Sequence, residues 1–302
     1  MDFSKVLRSL YFERDEKANK SDNGRVLIIG GSKPYPNAMA LASNFAALAG
    51  PGFVAIAVPD EIYPILASRV PATFIYENFK TEDDDFLLSE NLKQLDDALL
   101  KYDAILFGNG IKDSEENYLF LEHIVENYSG DLIIDATGLK LLADHDSACL
   151  DKKKPVARVI LTPHLGEARR LFKTEVSSKE PNDYLDLAKD YAFKHQVYVL
   201  LKSYASILVT PQKTSFASNY LPTPCLSKAG SGDGLAGYLA GLLAYGLTKV
   251  GYQDIILFAD QMIHLAAYQA QRQLSAGIAS ILDVPTYVQK TIREEADEET
   301  II

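Results

Sequence analysis

The sequence predicts an α/β protein with a mostly parallel central sheet and helices on both faces of that sheet. Short apolar segments alternate with helical patterns along almost the whole chain, as expected when helices cover both sides of parallel strands. Many of the apolar segments end in glycine or another small residue, which is typical of turns between strands and helices. The length of 302 residues suits one large domain with a substantial core. We therefore expect a single domain over residues 1–302.

Five predicted strands lie in the first part of the chain. They are RVLIIGG (25–31), FVAIAVP (53–59), DAILFGNG (103–110), DLIIDATG (131–138) and RVILTPH (158–164). A helix of small residues, NAMALASNFAALAG (37–50), follows the first strand and ends at a glycine. The acidic segment KTEDDDFLLSENLKQLDD (80–97) indicates a solvated helix with its loop.

Two further strands and two long helices are predicted after residue 164. The strands are VYVLLK (197–202) and ASILVTP (205–211), and the helices lie within 226–247 and 254–274. The segment IREEADEETII (292–302) indicates a frayed acidic tail. Ligands of such sheets bind outside the carboxyl ends of the strands, so residues at those ends are the candidates for a site.

Composition excludes several classes of function. The net charge of −11 argues against general nucleic-acid binding. No segment has the roughly 18 continuous apolar residues of a membrane helix, and the N-terminus lacks the apolar core of a signal peptide. Cys149 and Cys225 are expected to be free thiols in a cytoplasmic protein, and no Cys/His cluster has the spacing of a zinc site, so we predict no metal-ligating residues.

The segment GSGDG (230–234) places one carboxylate among glycines at the start of a long helix. Backbone N–H groups can converge there, and the helix dipole adds positive potential, which together suit a phosphate. A carboxylate would repel phosphate, but Asp233 could act as a general base on a substrate hydroxyl beside it. The alternative is a glycine-rich turn in which Asp233 caps the helix, and an isolated motif would favour that alternative.

Other strand ends carry weaker signals. The loops GGSKPYPNA (30–38) and FGNGIK (107–112) fit neither a dinucleotide fingerprint nor a Walker loop, and either could be a ligand loop or a plain turn. Lys202 could face nucleotide phosphates or lie on the surface. Asp135 could contact metal-bound water, bond its loop or cap a helix.

Two histidines and a glutamate complete the candidates. His164 follows a strand and could be a structural hydrogen-bonding residue or part of a site. Glu167 lies in the first turn of the next helix, where the helix dipole favours an acid. His264 lies within a helix, where internal packing or capping is expected.

In combination, these motifs resemble the ADP/ATP-dependent NAD(P)H-hydrate dehydratases of the ribokinase-like superfamily. The resemblance begins at Lys20 and covers nearly the whole chain. Its motifs are KSDNGRVLIIGGSKPYPNAMALA, FGNGI, IIDATGLKLLA, VILTPHLGEARRLF, LLKSYASILVTP and AGSGDGLAGYLAGLLAYG. The order of TPHxGE, a strand ending in lysine and GSGDxLAG is highly specific, whereas each motif alone is not.

The resemblance implies a metabolite-repair enzyme with a ribokinase-like three-layer fold. Such an enzyme dehydrates the (6S)-hydrate of NADH or NADPH by phosphorylating the ring hydroxyl and then eliminating phosphate. ADP or ATP is the co-substrate, and Mg2+ bridges the nucleotide phosphates while phosphate and water supply most of its ligands. Homo-oligomers, often tetramers, are usual in the family, and no fused epimerase domain is expected in this chain.

The resemblance also implies roles for individual residues. Ala38, Gly110, His164 and Asp233 match positions that hold the hydrate, and Asp233 matches the catalytic base. The positions implied to bind the nucleotide are Lys202, Ser203, Tyr204, Ala205, Ser206, Gly230, Ser231 and Gly232.

The chain departs from the usual family pattern near these loops. Asn109 stands where proline is usual, Thr137 where a second aspartate is common, Ser203 where glycine is usual, and PTPCLSK (222–228) replaces GNPGLAT. Two alternatives therefore stay open. One is a kinase of the same superfamily that phosphorylates a sugar or a vitamin-precursor alcohol and releases the phosphorylated product. The other is a nucleotide-binding protein that has lost catalysis.

Overall fold

The computed structural model describes residues 1–70, 74–246 and 249–299, and a large sheet forms its centre. The strands are β1 (Arg25–Ile29), β2 (Phe53–Ala57), β3 (Phe74–Tyr76), β4 (Thr81–Glu82), β5 (Asp85–Phe86), β6 (Ala104–Phe107), β7 (Asp131–Ile134), β8 (Arg158–Leu161), β9 (Tyr198–Leu201), β10 (Ile207–Val209) and β11 (Ser215–Ala217). Nine of them form one sheet in the order β11-β10-β9-β8-β7-β6-β1-β2-β3. From β9 to β3 every neighbouring pair is parallel, whereas β10 pairs antiparallel with both β9 and β11.

Helices cover both faces of this sheet. They are α1 (Phe3–Tyr11), α2 (Pro36–Ala49), α3 (Tyr63–Ala67), α4 (Leu88–Lys101), α5 (Glu115–Asn127), α6 (Thr137–Asp144), α7 (Leu165–Leu171), α8 (Leu185–His195), α9 (Ser231–Gly246), α10 (Tyr252–Leu274) and α11 (Val284–Glu299). Val26 and Ile28 of β1 join one apolar core with α1, α2, α9 and α10. Leu27 and Ile29 join a second core with α4 to α8. Alternate side chains of one strand thus enter opposite cores, and the predicted three-layer α/β class is confirmed.

The predicted strands are present, with shorter bounds, and two other predictions need correction. The acidic segment 80–97 contains the β4–β5 hairpin as well as the start of α4, and Phe86 of the hairpin is fully buried. The C-terminal segment is helical through Glu299 rather than frayed, and its last residues, like the predicted helix end at Leu247, lie outside the described residues. Phe86 explains why the acidic segment forms a hairpin, because its ring packs near Phe120 with ring centroids 5.3 Å apart.

Two other sequence-based expectations concern cysteines and membranes. Cys149 and Cys225 are both buried free thiols, as predicted. Within the three described ranges, no helix combines the length and the apolar character needed to span a membrane.

Helices α2 and α9 pack closely because α9 carries glycine where the two backbones meet. A Cβ atom on Gly237 would lie 2.0 Å from the backbone oxygen of Ala42. We expect Gly237→Ala to lower the free energy of unfolding by about 1–3 kcal/mol, since the helices must move apart. Gly277→Ala is the matched control because a Cβ there meets nothing within 4 Å. Urea denaturation measures both variants, and equal stability of the two would contradict the described packing.

Candidate active site

The carboxyl ends of four neighbouring strands meet the start of α9. Asn109 follows β6, Asp135 follows β7, Thr162 follows β8 and Lys202 follows β9. Because these strands are adjacent in the sheet, residues far apart in the chain come together. Asp233, the third residue of α9, completes this group, which we call the carboxylate cluster.

Hydrogen bonds connect all five members of the carboxylate cluster. Lys202 Nζ donates to Asp135 Oδ1 at 2.6 Å, and Thr162 Oγ1 donates to the same oxygen at 2.8 Å. Asn109 Nδ2 donates to Asp135 Oδ2 at 3.0 Å and to Asp233 Oδ1 at 2.7 Å. The Asp233 carboxylate therefore accepts a hydrogen bond from a residue at the end of strand β6, which distinguishes it from an aspartate that only caps its own helix.

The protonation of this cluster follows from its burial. Burial raises the pKa of Asp233 to about 6; the Asn109 hydrogen bond opposes that rise, the Asp135 charge adds to it, and Lys202 opposes it. Burial tends to lower the pKa of Lys202, but Asp135 and Glu167 outweigh it and the pKa is raised overall. Lys202 is thus a cation at neutral pH, and Asp233 has the pKa of an efficient general base.

The first turn of α9 lies directly above Lys202. Gly230, just before the helix, has φ +95°, a conformation that strongly favours glycine. A Cβ atom at Gly232 would lie 3.2 Å from Lys202 Nζ and 3.9 Å from Asp135 Oδ2. Ser231 N donates to Lys228 O at 3.4 Å, and the next residue, Gly232, lies beside the lysine ammonium. A helix N-terminus next to a cation suits a phosphate group.

Two clefts flank this turn. The first, of about 560 Å³, contains six of the residues predicted to bind nucleotide: Lys202, Ser203, Tyr204, Ser206, Ser231 and Gly232. The second, of about 690 Å³, contains Ala38, Gly230 and Asp233. The GSGD turn forms a wall of both clefts, so a group bound in one lies beside a group bound in the other.

The remaining predicted site residues lie close to these clefts. Gly110 lies behind the second cleft, where a Cβ atom would be 3.0 Å from Ala38 Cβ. Ala205 donates its backbone N–H to Ser203 Oγ at 3.0 Å within the loop at the first cleft. His164 lines the first cleft, whereas the resemblance implies that it contacts the hydrate.

His164 has a structural task that the sequence left open. Its Nδ1 accepts hydrogen bonds from the backbone N–H groups of Gly166 at 3.0 Å and Glu167 at 3.2 Å, and Glu167 Oε2 accepts from His164 N at 2.9 Å. This reciprocal cap starts α7. Burial, followed by the nearby Lys202 charge, lowers the pKa of His164, while burial raises the pKa of Glu167 to about 7. His164 is therefore mostly neutral at pH 7, with its proton on Nε2, which lies 3.6 Å from Glu167 Oε1.

Asp260 was not among the predicted site residues, whereas His264 lies within α10 as predicted and its Nδ1 donates to the backbone oxygen of Asp260 at 2.9 Å. Both line the first cleft. Asp260 is fully buried; its Oδ1 accepts from Ser206 Oγ at 2.8 Å, and its Oδ2 has no hydrogen-bond partner among the described residues. The sequence did offer a signal for Asp260: it is an acid within a largely apolar helical segment, four residues before His264.

The residues that depart from the family pattern lie at the first cleft, at the start of α6 and in the carboxylate cluster. Most of segment 222–228 forms one wall of the first cleft, which stays open. Ser203 Oγ is turned back onto its own loop, where it accepts from the Ala205 N–H. Thr137 is the first residue of α6. Asn109 is fully buried inside the carboxylate cluster.

Compared with known proteins, residues 26–285 match a family described as NAD(P)H-hydrate dehydratase. A bifunctional NAD(P)H-hydrate repair enzyme of Salinibacter ruber is 34% identical over 88% of this chain and 47% of that protein. An ADP-dependent (S)-NAD(P)H-hydrate dehydratase of Listeria monocytogenes is 28% identical over 77% of this chain and 76% of that protein. The chain spans about half the length of the bifunctional relatives it matches.

Solved structures share the fold. A ribokinase-like superfamily protein of Enterococcus faecalis has a TM-score of 0.76 at 19% identity, over 97% of this chain and 94% of that chain. An ADP/ATP-dependent NAD(P)H-hydrate dehydratase of Bacillus subtilis, co-crystallized with ATP and Mg2+, has a TM-score of 0.75 at 23% identity over 97% of both chains. These similarities confirm the ribokinase-like fold that the motifs implied.

Proposed function

This chain belongs to the NAD(P)H-hydrate dehydratase family, and on that basis we propose that it converts the (6S)-hydrates of NADH and NADPH back to NADH and NADPH, using ADP or ATP. The observation that carries the proposal is the position of Asp233 in the second cleft, next in the chain to Gly232, which lines the first cleft beside Lys202. The named relatives of Listeria and Bacillus act on the same class of substrate with ADP or ATP, which supports the choice of co-substrate.

The chemistry requires a better leaving group than hydroxide. Asp233 takes the proton of the hydrate's ring hydroxyl, and the oxygen attacks the terminal phosphoryl group of the nucleotide. The shortened nucleotide departs from phosphorus. The C–O bond of the phosphorylated ring then breaks with release of phosphate, and loss of a proton from the neighbouring ring carbon restores the dihydronicotinamide. The phosphate thus carries away the oxygen of the added water.

The nucleotide and the hydrate bind in different clefts. The nucleotide binds in the first cleft along the loop from Lys202 to Ser206, and the hydrate binds in the second beside Ala38, with Gly110 behind it. The amides of Gly230 and Gly232 and the Lys202 ammonium stabilise charge on the transferring phosphoryl group. His164, at the first cleft, borders this transfer region.

We propose magnesium as a companion of the nucleotide. Within the described parts of the chain, no group of three or more His, Cys, Asp or Glu side chains could hold a metal ion. The bound ion would take its ligands from the nucleotide phosphates and water, as Mg2+ commonly does, and would neutralise phosphate charge. A cytoplasmic location and a homo-oligomeric, tetrameric assembly stay predictions.

Recovery of NADH absorbance from its hydrate tests the proposal directly. We expect recovery when the protein, hydrated NADH, magnesium and either ADP or ATP are combined, and none when the nucleotide or magnesium is left out. Folded protein that gives no recovery with either nucleotide would contradict the proposal. Product analysis separates the alternatives: a kinase releases a phosphorylated product, and a non-catalytic protein binds nucleotide without turnover.

A further inference from the structure

Asn109 occupies an unusual position between two carboxylates. Each of its two carboxamide hydrogens has an anionic acceptor, because Nδ2 lies 2.7 Å from Asp233 Oδ1 and 3.0 Å from Asp135 Oδ2. The opposite amide orientation would turn the Asn109 carbonyl oxygen toward both carboxylates, where it could donate nothing. The two acids therefore determine which way the amide faces.

This orientation leaves the Asn109 oxygen unsatisfied. Asn109 is fully buried, and its Oδ1 has no hydrogen-bond partner in the described part of the chain. A buried acceptor without a partner is unfavourable. The side chain of Asn109 is thus placed to donate to both carboxylates, at the cost of leaving its own oxygen without a hydrogen bond. Such an unfavourable arrangement is typical of residues that serve a functional site.

The backbone of Asn109 is held firmly as well. Gly31 N, just beyond β1, donates to Asn109 O at 2.9 Å. The side chain therefore extends from an anchored loop, and its two donors are fixed before any ligand binds. Such preorganisation favours precise orientation of a reacting group.

The charged neighbours of Asp233 make this contact important. Asp135 repels the Asp233 charge and Lys202 attracts it, while Arg69 and Lys228 line the same cleft from other segments. Lys202 donates to Oδ1 of Asp135, the oxygen that Asn109 does not contact, so the lysine charge is already paired with Asp135. The Asn109 donor is the direct hydrogen bond that favours the ionised form of Asp233.

We propose that Asn109 is a positioning residue, which orients Asp233 as an ionised base and connects it to the Asp135–Lys202 pair. The inference deepens the proposed function and depends on it, since Asp233 acts as the base there. Asn109 is fully buried and lines neither of the two clefts, so it acts through Asp233.

The pH dependence of kcat/KM and the titration of the Asp233 carboxyl group test this role. Asn109→Ala removes the donor, so Asp233 should protonate more easily and the acid limb of the profile should move up by about one to two pH units. The activity loss should be about 5- to 50-fold near pH 6 and much smaller at alkaline pH. Asn109→Asp keeps the shape of the side chain but adds a negative charge, so it should move the acid limb to still higher pH.

A buried asparagine outside the site supplies the control. Asn91 donates to the backbone oxygens of Lys80 and Leu87 and accepts from Lys80 N, so Asn91→Ala removes a comparable set of hydrogen bonds. We expect it to reduce stability and leave the pH profile of the active protein unchanged. A general loss of folding therefore cannot imitate the expected shift.

Carboxyl NMR separates the two ways in which this test can fail. The Asp233 resonance is assigned by its loss in Asp233→Asn, and its titration needs no turnover. A wild-type protein without dehydratase activity would overturn the proposed function, and with it the role of Asn109 in that reaction. An active wild type, with an Asp233 titration and an acid limb that do not move in Asn109→Ala or Asn109→Asp, would overturn the inference alone.

Discussion

Asp233→Asn is expected to lower turnover of the NADH hydrate by about 10²–10⁴-fold, the usual contribution of a general base. The substitution keeps the size of the side chain and an oxygen that can accept from Asn109 Nδ2. It removes the ability to take the hydroxyl proton together with the carboxylate charge. Nucleotide binding should persist, because the α9 amides and Lys202 are unchanged and one negative charge near the phosphates is gone. Single-turnover kinetics and calorimetric titration with ADP or ATP measure the two effects.

Asp186→Asn is the matched control for this prediction. Asp186 is an exposed acid in the first turn of α8, so it shares the helix-terminal position of Asp233 without the carboxylate cluster. It should retain full turnover, with only a small loss of stability from the helix dipole. Normal turnover by Asp233→Asn would show that the base is another group. Loss of nucleotide binding together with turnover would show that Asp233 has a binding role.

Much of this site was predictable because strand ends in a parallel sheet share one edge. The apolar segments located the ends of β6, β7, β8 and β9, and the glycines near Asp233 marked an anion-binding helix start. Six of the predicted nucleotide-binding residues do line one cleft. The sequence thus located the regions, since each signal is local and follows from strand periodicity and turn chemistry.

The pairings between those regions were not predictable in the same way. Asn109 and Asp233 are 124 positions apart, and their 2.7 Å contact depends on how far α9 reaches over the sheet edge. Lys202 was expected to face either phosphates or solvent, yet it bonds Asp135 beneath the helix. Three-dimensional packing determines such contacts, and no local pattern in one sequence records them.

Lys202→Met is expected to reduce the free energy of unfolding by about 3–5 kcal/mol, the usual cost of breaking a buried ion pair. The side chains of Lys202 and Asp135 are 15% and 1% exposed, so loss of the ammonium leaves a carboxylate charge with little access to water. Nucleotide affinity should fall as well, because the cation below the α9 amides is gone. Chemical denaturation and nucleotide titration measure these two losses.

A double variant separates the structural task of Lys202 from its catalytic one. In Lys202→Met with Asp135→Asn, the amide oxygen can accept from Asn109, the amide NH2 group can donate to the Thr162 hydroxyl, and the buried charge has been removed. Stability should return largely toward that of the wild type, while nucleotide affinity and turnover stay low. If turnover returned with stability, Lys202 would serve only to neutralise Asp135. If Lys202→Met alone were fully stable, the described ion pair would be wrong. Low nucleotide affinity in a stable double variant would therefore identify the Lys202 ammonium as part of the phosphate site.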